Sequence, residues 1–337
     1  MSHGKPLAEL GEFGLIDRIA ANVPKGVGVL TGIGDDAAVT GLSPGMQLLS
    51  STDMLLEDVH FRRSWHDPYR LGRKSLAVSI SDIAAMGGIP RWALLSLAVP
   101  ADLSVEYLDD FTAGLLSMAF DHGVTLIGGD TCASRSGLAI SVTIMGEQHP
   151  DRIIRRSGAR PDDDIWVTGT LGDAALALEC LEGRLPAWVG DLSDSLSLRL
   201  LDPFPRAMSG RLLAESGLVS AMIDVSDGLI ADFGHIAAAS GFGGTIRLDA
   251  LPVSEAFRRI ASELAVFPKH LLLSGGEDYE LLFTAPAAHR EKISRLVKKS
   301  GVPATAIGIV SNLPGTTVLE SDGTPYLPEK QGFNHFK

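Results

Sequence analysis

Aspartate recurs in small, Gly- or Ser-rich junctions of this chain: Gly34-Asp35-Asp36, Ser51-Thr52-Asp53, Ser81-Asp82, Gly128-Gly129-Asp130, Asp224-Val225-Ser226-Asp227-Gly228 and Gly275-Gly276-Glu277-Asp278. Taken singly, each is better read as a helix cap or turn, where Asp, Ser and Gly are favoured. Asp82 resists that reading, because Ile80, Ile83 and Ala84 place it inside an apolar helix. An acid there needs a partner, and a cation is a good one. Taken together, hard oxygen ligands beside glycine suit Mg2+, which takes one or two carboxylates plus water and substrate phosphates. Ser51, Thr52 and Ser226 add neutral oxygens. Clamps of this kind stabilise phosphoryl oxygens, so the pattern points to phosphoryl transfer. Arg155-Arg156-Ser157-Gly158 could hold a phosphate or be a solvated linker, and the residues alone favour neither.

Other motifs fail on physical grounds. Gly32-Ile33-Gly34-Asp35-Asp36-Ala37 has dinucleotide-fingerprint spacing, but two adjacent carboxylates would repel the pyrophosphate that the motif must cradle. Gly41-Leu42-Ser43-Pro44-Gly45 has nucleophile-elbow spacing, yet Pro44 has no N–H to give an oxyanion. No Walker A run and no His-Glu-x-x-His occurs.

The chain has 337 residues with 29 Lys and Arg against 41 Asp and Glu, a formal charge of −12. That balance is opposite to a general nucleic-acid or anionic-membrane binder. Bound metals would invert the local charge and let so acidic a protein hold a nucleotide. Cys132 and Cys180 cannot form a disulfide framework and fit a reducing compartment; Cys132 reads as a buried thiol. No apolar run is long enough to span a bilayer, and no signal-peptide pattern follows Met1–Pro6. The expectation is a cytoplasmic protein that binds neither nucleic acid nor membrane.

The acids need elements to hold them. Gln47 to Thr52 reads as a strand running into Asp53. Asp67-Pro68 opens a helix, with Asp as N-cap and Pro at the first helical position, and Gly87-Gly88 stops it. Trp92 to Val99, Val124 to Ile127 and Leu138 to Met145 read as strands. Ser104 to His122 reads as a helix with Val105, Leu108, Phe111, Leu115 and Met118 on one face. The polar stretch His149 to Asp164 is the candidate boundary, giving domains over 1–148 and 149–337. Beyond it, strands at Ile165 to Thr168, Met222 to Asp224, Thr245 to Leu248, Leu281 to Thr284 and Ala304 to Val310 alternate with helical patterns. The fold class is α/β (α+β) in two domains.

The ordered set of motifs resembles the thiamine-monophosphate kinase family, within the aminoimidazole ribonucleotide synthetase-like superfamily. The likeness runs through Gly32-Ile33-Gly34-Asp35-Asp36-Ala37, Ser51-Thr52-Asp53-Met54-Leu55, Val59-His60-Phe61 and Ser81-Asp82-Ile83-Ala84-Ala85-Met86-Gly87. It continues through Ile127-Gly128-Gly129-Asp130, Arg156-Ser157-Gly158-Ala159, Asp224-Val225-Ser226-Asp227-Gly228-Leu229 and Ser274-Gly275-Gly276-Glu277-Asp278-Tyr279-Glu280-Leu281, and closes at Gly332-Phe333-Asn334-His335-Phe336. Each motif is short; their order is highly specific.

The resemblance implies a mixed-sheet N-terminal domain with an α/β C-terminal domain. It also implies ATP-dependent phosphorylation of thiamine monophosphate to thiamine diphosphate with several Mg2+ ions, and a homodimer paired through N-terminal-domain strands. Carried over motif by motif, Asp35 or Asp36, Ser51, Thr52, Asp53, Asp82, Asp130, Asp224 and Asp227 would ligate metal, with Asp53, Asp82 and Asp130 at the catalytic centre. Gly129, Asp130, Arg156 and Ser226 would meet ATP, and His60, Glu277 and Phe333 the thiamine moiety. Two positions depart from the pattern. Asp58 stands where relatives commonly carry Gly, and Phe333 where they often carry Trp or Tyr.

Rival readings are another ATP-using enzyme of the superfamily, a metal-dependent phosphatase, and a module that binds nucleotide and metal without turnover. A selenophosphate synthetase would want a reactive residue near the N-terminus, and no Cys precedes Cys132.

Overall fold

The helix expected after Asp67 forms as the cap chemistry requires. The computed structural model describes residues 7–185 and 193–333, so Met1–Pro6 and the Asn334-His335-Phe336 end of the tail motif lie outside the described residues. In chain order the elements open with α1 (Leu7–Ala20), β1 (Val29–Thr31), β2 (Val39–Thr40), β3 (Gln47–Leu56), α2 (Pro68–Ala85), β4 (Ile89–Pro100), α3 (Val105–His122), β5 (Thr125–Ser134) and β6 (Ala139–Gln148). There follow β7 (Asp163–Thr168), α4 (Asp173–Leu181), α5 (Ser193–Leu201), α6 (Ala207–Ser216), β8 (Ala221–Asp224), α7 (Leu229–Ser240), β9 (Gly243–Arg247), α8 (Glu255–Glu263) and α9 (Lys269–Ser274). The series ends with β10 (Leu281–Pro286), α10 (Arg290–Val297), β11 (Ala304–Ser311), β12 (Gly315–Leu319) and β13 (Pro325–Tyr326).

Asp67 caps α2 by accepting the Arg70 N–H at 2.9 Å. Ser104 accepts the Tyr107 N–H to cap α3, and Gly123, at φ 65°, closes it in the left-handed region that glycine tolerates. Along α3 the apolar stripe of Leu108, Phe111, Leu115 and Met118 is buried.

The chain divides into two compact units. The first holds Met1–Ile83 and Ile89–Pro150; the second holds Ala84–Gly88 and Asp151–Lys337. The division therefore falls two residues beyond the 148/149 boundary expected from the polar stretch. In the first unit a four-stranded sheet runs β3-β6-β4-β5. Only β4 and β5 pair in parallel, with α3 as their crossover, so the sheet is mixed. Leu95, Val142 and Ile144 are buried on its inner face. The second unit carries a seven-stranded sheet ordered β13-β12-β9-β11-β7-β10-β8. Its one parallel pair is β12 with β9. The adjacent β7 and β10 form its interior, with the Trp166 and Phe283 rings stacked at 6.0 Å.

Several expectations need correction. β3 and β5 extend past the expected ends at Thr52 and Ile127, so Asp53 and Asp130 sit within strands. In β5 a register shift against β4 skips Ile127, after which Gly128 and Gly129 pair with Leu94 and Leu95 and the ladder runs on to Ser134. Cys132 is exposed rather than buried, on the outer stretch of that longer strand. α1, α8, α9, β1, β2, β12 and β13 were not anticipated. Among the described residues, no helix is long and apolar enough to cross a membrane.

Candidate active site

In the first unit, alternation along β3 sends Ser51 and Asp53 toward α2, where Ser79 and Asp82 lie one turn apart. Ser79 donates its hydroxyl to Asp53 at 2.6 Å, and the Ser51 hydroxyl donates to Asp82. Burial above all, and then repulsion from Asp82, push the Asp53 carboxyl up to about 6 against the opposing Ser79 hydrogen bond. Two half-buried acids with hydroxyls beside them form an all-oxygen donor set that a hard divalent cation fits. Thr52, one residue out of phase, is exposed beside the Thr143 hydroxyl at 3.1 Å.

Asp130 is not brought to this pair. It lies on β5 in register with Ser96 of β4, and both are exposed. Three strand spacings, about 14 Å, separate β5 from β3. Gly129 has a steric reason to be glycine: a Cβ there would fall 1.8 Å from the Leu95 carbonyl oxygen. Asp35 and Asp36 sit exposed on the loop joining β1 to β2, with the Asp36 N–H donated to Asp35 at 2.9 Å.

His60 stands on a tight turn. Its N–H donates to the Leu56 carbonyl at 2.9 Å, and its Nδ1 accepts the Leu56 N–H at 3.0 Å. Glu57 braces the turn by accepting from Arg63 at 2.6 Å and from the Leu138 N–H at 2.7 Å. Asp58 holds φ 65°. Asp is among the residues that tolerate this region.

In the second unit, Asp224 ends β8 and is buried, and the turn after it carries Ser226 and Asp227 into α7. Arg156 is exposed on a neighbouring turn, whose Gly158 and Ala159 N–H groups donate to the Ser240 hydroxyl at the end of α7. The Arg155 carbonyl accepts the Met222 N–H of β8 at 3.0 Å. Glu277 and Tyr279 adopt left-handed φ of 65° and 49°, flanking Asp278. The buried Asp278 carboxylate accepts the Gly172 N–H with both oxygens. The Glu277 N–H donates to the Ser226 carbonyl at 2.8 Å, and the Phe333 N–H to the Asp227 carbonyl at 3.0 Å. Asp224, Ser226, Asp227, Glu277 and Phe333, far apart in sequence, thus share one neighbourhood.

Asp232 belongs there too, and sequence reading missed it. It is 2% exposed. Burial first, then Asp224 and Asp227, push it up to about 8 against the N–H groups it accepts. Its one sequence signal is an acid in the first turn of a helix, which by itself marks only a cap. Among the described residues, no group of three or more His, Cys, Asp or Glu side chains is poised to hold a metal ion.

A mixed-sheet unit with acids on β3, β5 and α2, followed by a larger unit with acids at the turn after β8, belongs to the AIR synthase related class. Residues 34–148 match the AIR synthase related protein N-terminal domain, and residues 160–319 match the C-terminal domain. By end-to-end similarity the chain belongs, within that class, to the thiamine-monophosphate kinase family. It is 40% identical over 328 residues to the thiamine-monophosphate kinase of Salmonella typhimurium, covering 97% of this chain and 98% of that one. The crystal structure of thiamine-monophosphate kinase from Stenotrophomonas maltophilia is 40% identical, with TM-score 0.82 over 94% of this chain and 98% of that chain. The structure of AaThiL complexed with AMPPCP and TMP is 34% identical, with TM-score 0.75 over 99% and 100% of the two chains.

Proposed function

We propose that this chain transfers the γ-phosphoryl group of ATP to thiamine monophosphate, yielding thiamine diphosphate and ADP. The observation that carries the reading is its similarity to thiamine-monophosphate kinases over 97% of its length. The pairing of Asp53 with Asp82 supports it. Asp35 or Asp36, Ser51, Thr52, Asp53, Asp82, Asp130, Asp224 and Asp227 are the residues that would hold several Mg2+ ions. When bound, Mg2+ neutralises charge between two polyanionic substrates and orients phosphoryl oxygens. Gly129, Asp130, Arg156 and Ser226 face the nucleotide in this reading; His60, Glu277 and Phe333 face the thiamine moiety. The working protein is a cytoplasmic homodimer paired through strands of the first unit.

The acceptor needs no general base. A phosphate monoester has its second pKa near ~6, so thiamine monophosphate already presents an anionic oxygen at neutral pH. The protein's task is to bring two anions into line, which is positioning and electrostatics rather than proton abstraction. In a neutral His60, the Nδ1 that accepts the Leu56 N–H leaves the proton on Nε2. Transfer is direct, without a phosphorylated enzyme.

Incubation with ATP, Mg2+ and thiamine monophosphate is expected to produce thiamine diphosphate and ADP in equal amounts. Phosphate release without thiamine diphosphate would establish a phosphatase instead. Labelled ADP incubated with ATP and Mg2+, without a thiamine compound, should not exchange into ATP. Exchange together with an isolable phosphoprotein would overturn direct transfer.

A further inference from the structure

The turn Val225–Gly228 uses nearly all of its backbone hydrogen-bonding groups, and the pattern of use is uneven. Its N–H groups at Ser226, Asp227 and Gly228 all donate to one atom, Oδ2 of Asp232, at 3.0, 3.1 and 3.1 Å. Its carbonyls at Val225, Ser226 and Asp227 accept from Tyr279, Glu277 and Phe333 at 2.8, 2.8 and 3.0 Å. The Val225 N–H donates to the Glu280 carbonyl at 2.8 Å. One edge of the turn is therefore held by a single buried oxygen, and the other edge carries the segments that present Glu277 and Phe333.

We infer that Asp232 is a positioning residue: its Oδ2 sets the Val225–Gly228 turn, and through that turn sets both Ser226 toward nucleotide and Glu277 and Phe333 toward the thiamine moiety. The inference rests on the kinase reading above and extends it to a residue outside the motifs that carry the family resemblance. Three convergent donors fill the acceptor capacity of one carboxylate oxygen, so Oδ2 serves the backbone rather than a cation. Removing it would leave three N–H groups in or near the buried interior without an acceptor, and the turn would rearrange to rehydrate them. A rearranged turn shifts its carbonyls as well, which moves both substrate contacts together. Loss of a lone nucleotide contact would leave the thiamine side untouched.

The variants Asp232→Asn and Asp232→Ala separate these roles. Asparagine keeps an acceptor oxygen where Oδ2 stands and replaces Oδ1 by an NH2 group. Asp232→Ala is expected to raise KM for ATP and for thiamine monophosphate together, each by about tenfold or more, while Asp232→Asn stays within about threefold of wild type. Unchanged KM values in Asp232→Ala would overturn the inference. So would an Asp232→Asn enzyme as impaired as Asp232→Ala, because an acceptor oxygen at that place would then not be what sets the turn. Amide hydrogen exchange of substrate-free wild-type protein gives a readout without turnover: the Ser226, Asp227 and Gly228 amides should be protected, and fast exchange there would overturn the anchor. That measurement decides the matter if Asp232→Ala shows no cooperative melting transition. Wild-type protein that forms no thiamine diphosphate would refute the kinase reading, while the exchange result would still judge the anchor separately.

Discussion

The Ser79 hydroxyl donates to the Asp53 carboxylate across 2.6 Å, joining the middle of β3 to α2. One helical turn on, Asp82 accepts from Ser51, so the strand and helix run in opposite senses along their shared contact. A two-residue step on the strand meets a three-residue step on the helix, and each step keeps its side chains on one face. The result is two acids side by side, each with a serine.

Asp82→Asn is expected to lower turnover by about 10²-fold while changing unfolding free energy by no more than about 1 kcal/mol. Burial is the larger cause of the raised Asp53 pKa and Asp82 the second. The variant should therefore also bring the Asp53 titration down toward the ordinary carboxylate range. Steady-state kinetics, urea denaturation and NMR titration check the three parts; near-normal turnover would remove Asp82 from the catalytic centre.

Phe333→Ala should weaken thiamine monophosphate binding and leave ATP binding nearly intact. Phe333 is 54% exposed, so truncation removes little core. The backbone N–H that reaches the Asp227 carbonyl survives the change. Aromatic stacking contributes ~0.5–1.5 kcal/mol beyond area burial, which corresponds to a rise in KM of about tenfold or less. Calorimetric titration with each substrate tests this, and equal losses for both would indicate a damaged turn instead.

The left-handed backbone at Asp58, φ 65°, predicts an order of stability among variants there. Asp58→Ala should be less stable than Asp58→Gly by about 1 kcal/mol, because a Cβ without a local polar partner is disfavoured in that region. Urea unfolding midpoints provide the comparison; equal midpoints would mean that the turn adopts another conformation in solution.

His66 predicts an acid-sensitive first unit. It is 2% exposed, lies edge-on to Phe61 at 6.3 Å, and among the described residues neither ring nitrogen has a hydrogen-bond partner. Burial, and secondarily the Lys74 charge, push it down to about 3 from its ordinary value of 6.5. The unfolded chain therefore binds a proton that the folded chain refuses. Stability from this source is complete above 6.5 and is lost as pH falls toward about 3, at up to ~1.4 kcal/mol per pH unit. Replacing His66 with Leu should flatten the slope of unfolding free energy between about pH 6.5 and 4.5 by up to about one proton. An unchanged slope would assign the effect elsewhere.

Much of the scaffold was legible from local rules. Asp67-Pro68 and Gly87 bounded α2, Ser104 to His122 marked α3, and Gln47 to Thr52 marked the first part of β3. The misses were short or polar elements such as α8, α9 and β12, and the true ends of β3 and β5. A strand's end is set by its partner: β6 pairs with β3 along all of Gln47–Leu56, and β4 carries β5 past Gly128-Gly129.

The sequence by itself determined the chemistry on offer. Its repeated Asp beside Gly and Ser named hard-cation and phosphate chemistry, and the order of those motifs named the family. Only the tertiary structure decided which acids meet. It joined Asp53 to Asp82, set Asp130 three strands from β3, and drew Asp232 into the turn that carries Ser226 and Asp227. The reason is physical: a local motif fixes which atoms can bind and how the nearby backbone turns, whereas desolvation and charge repulsion depend on neighbours supplied by distant parts of the chain. Asp232 looks like an ordinary helix-cap acid in sequence, and burial beside other carboxylates makes it otherwise.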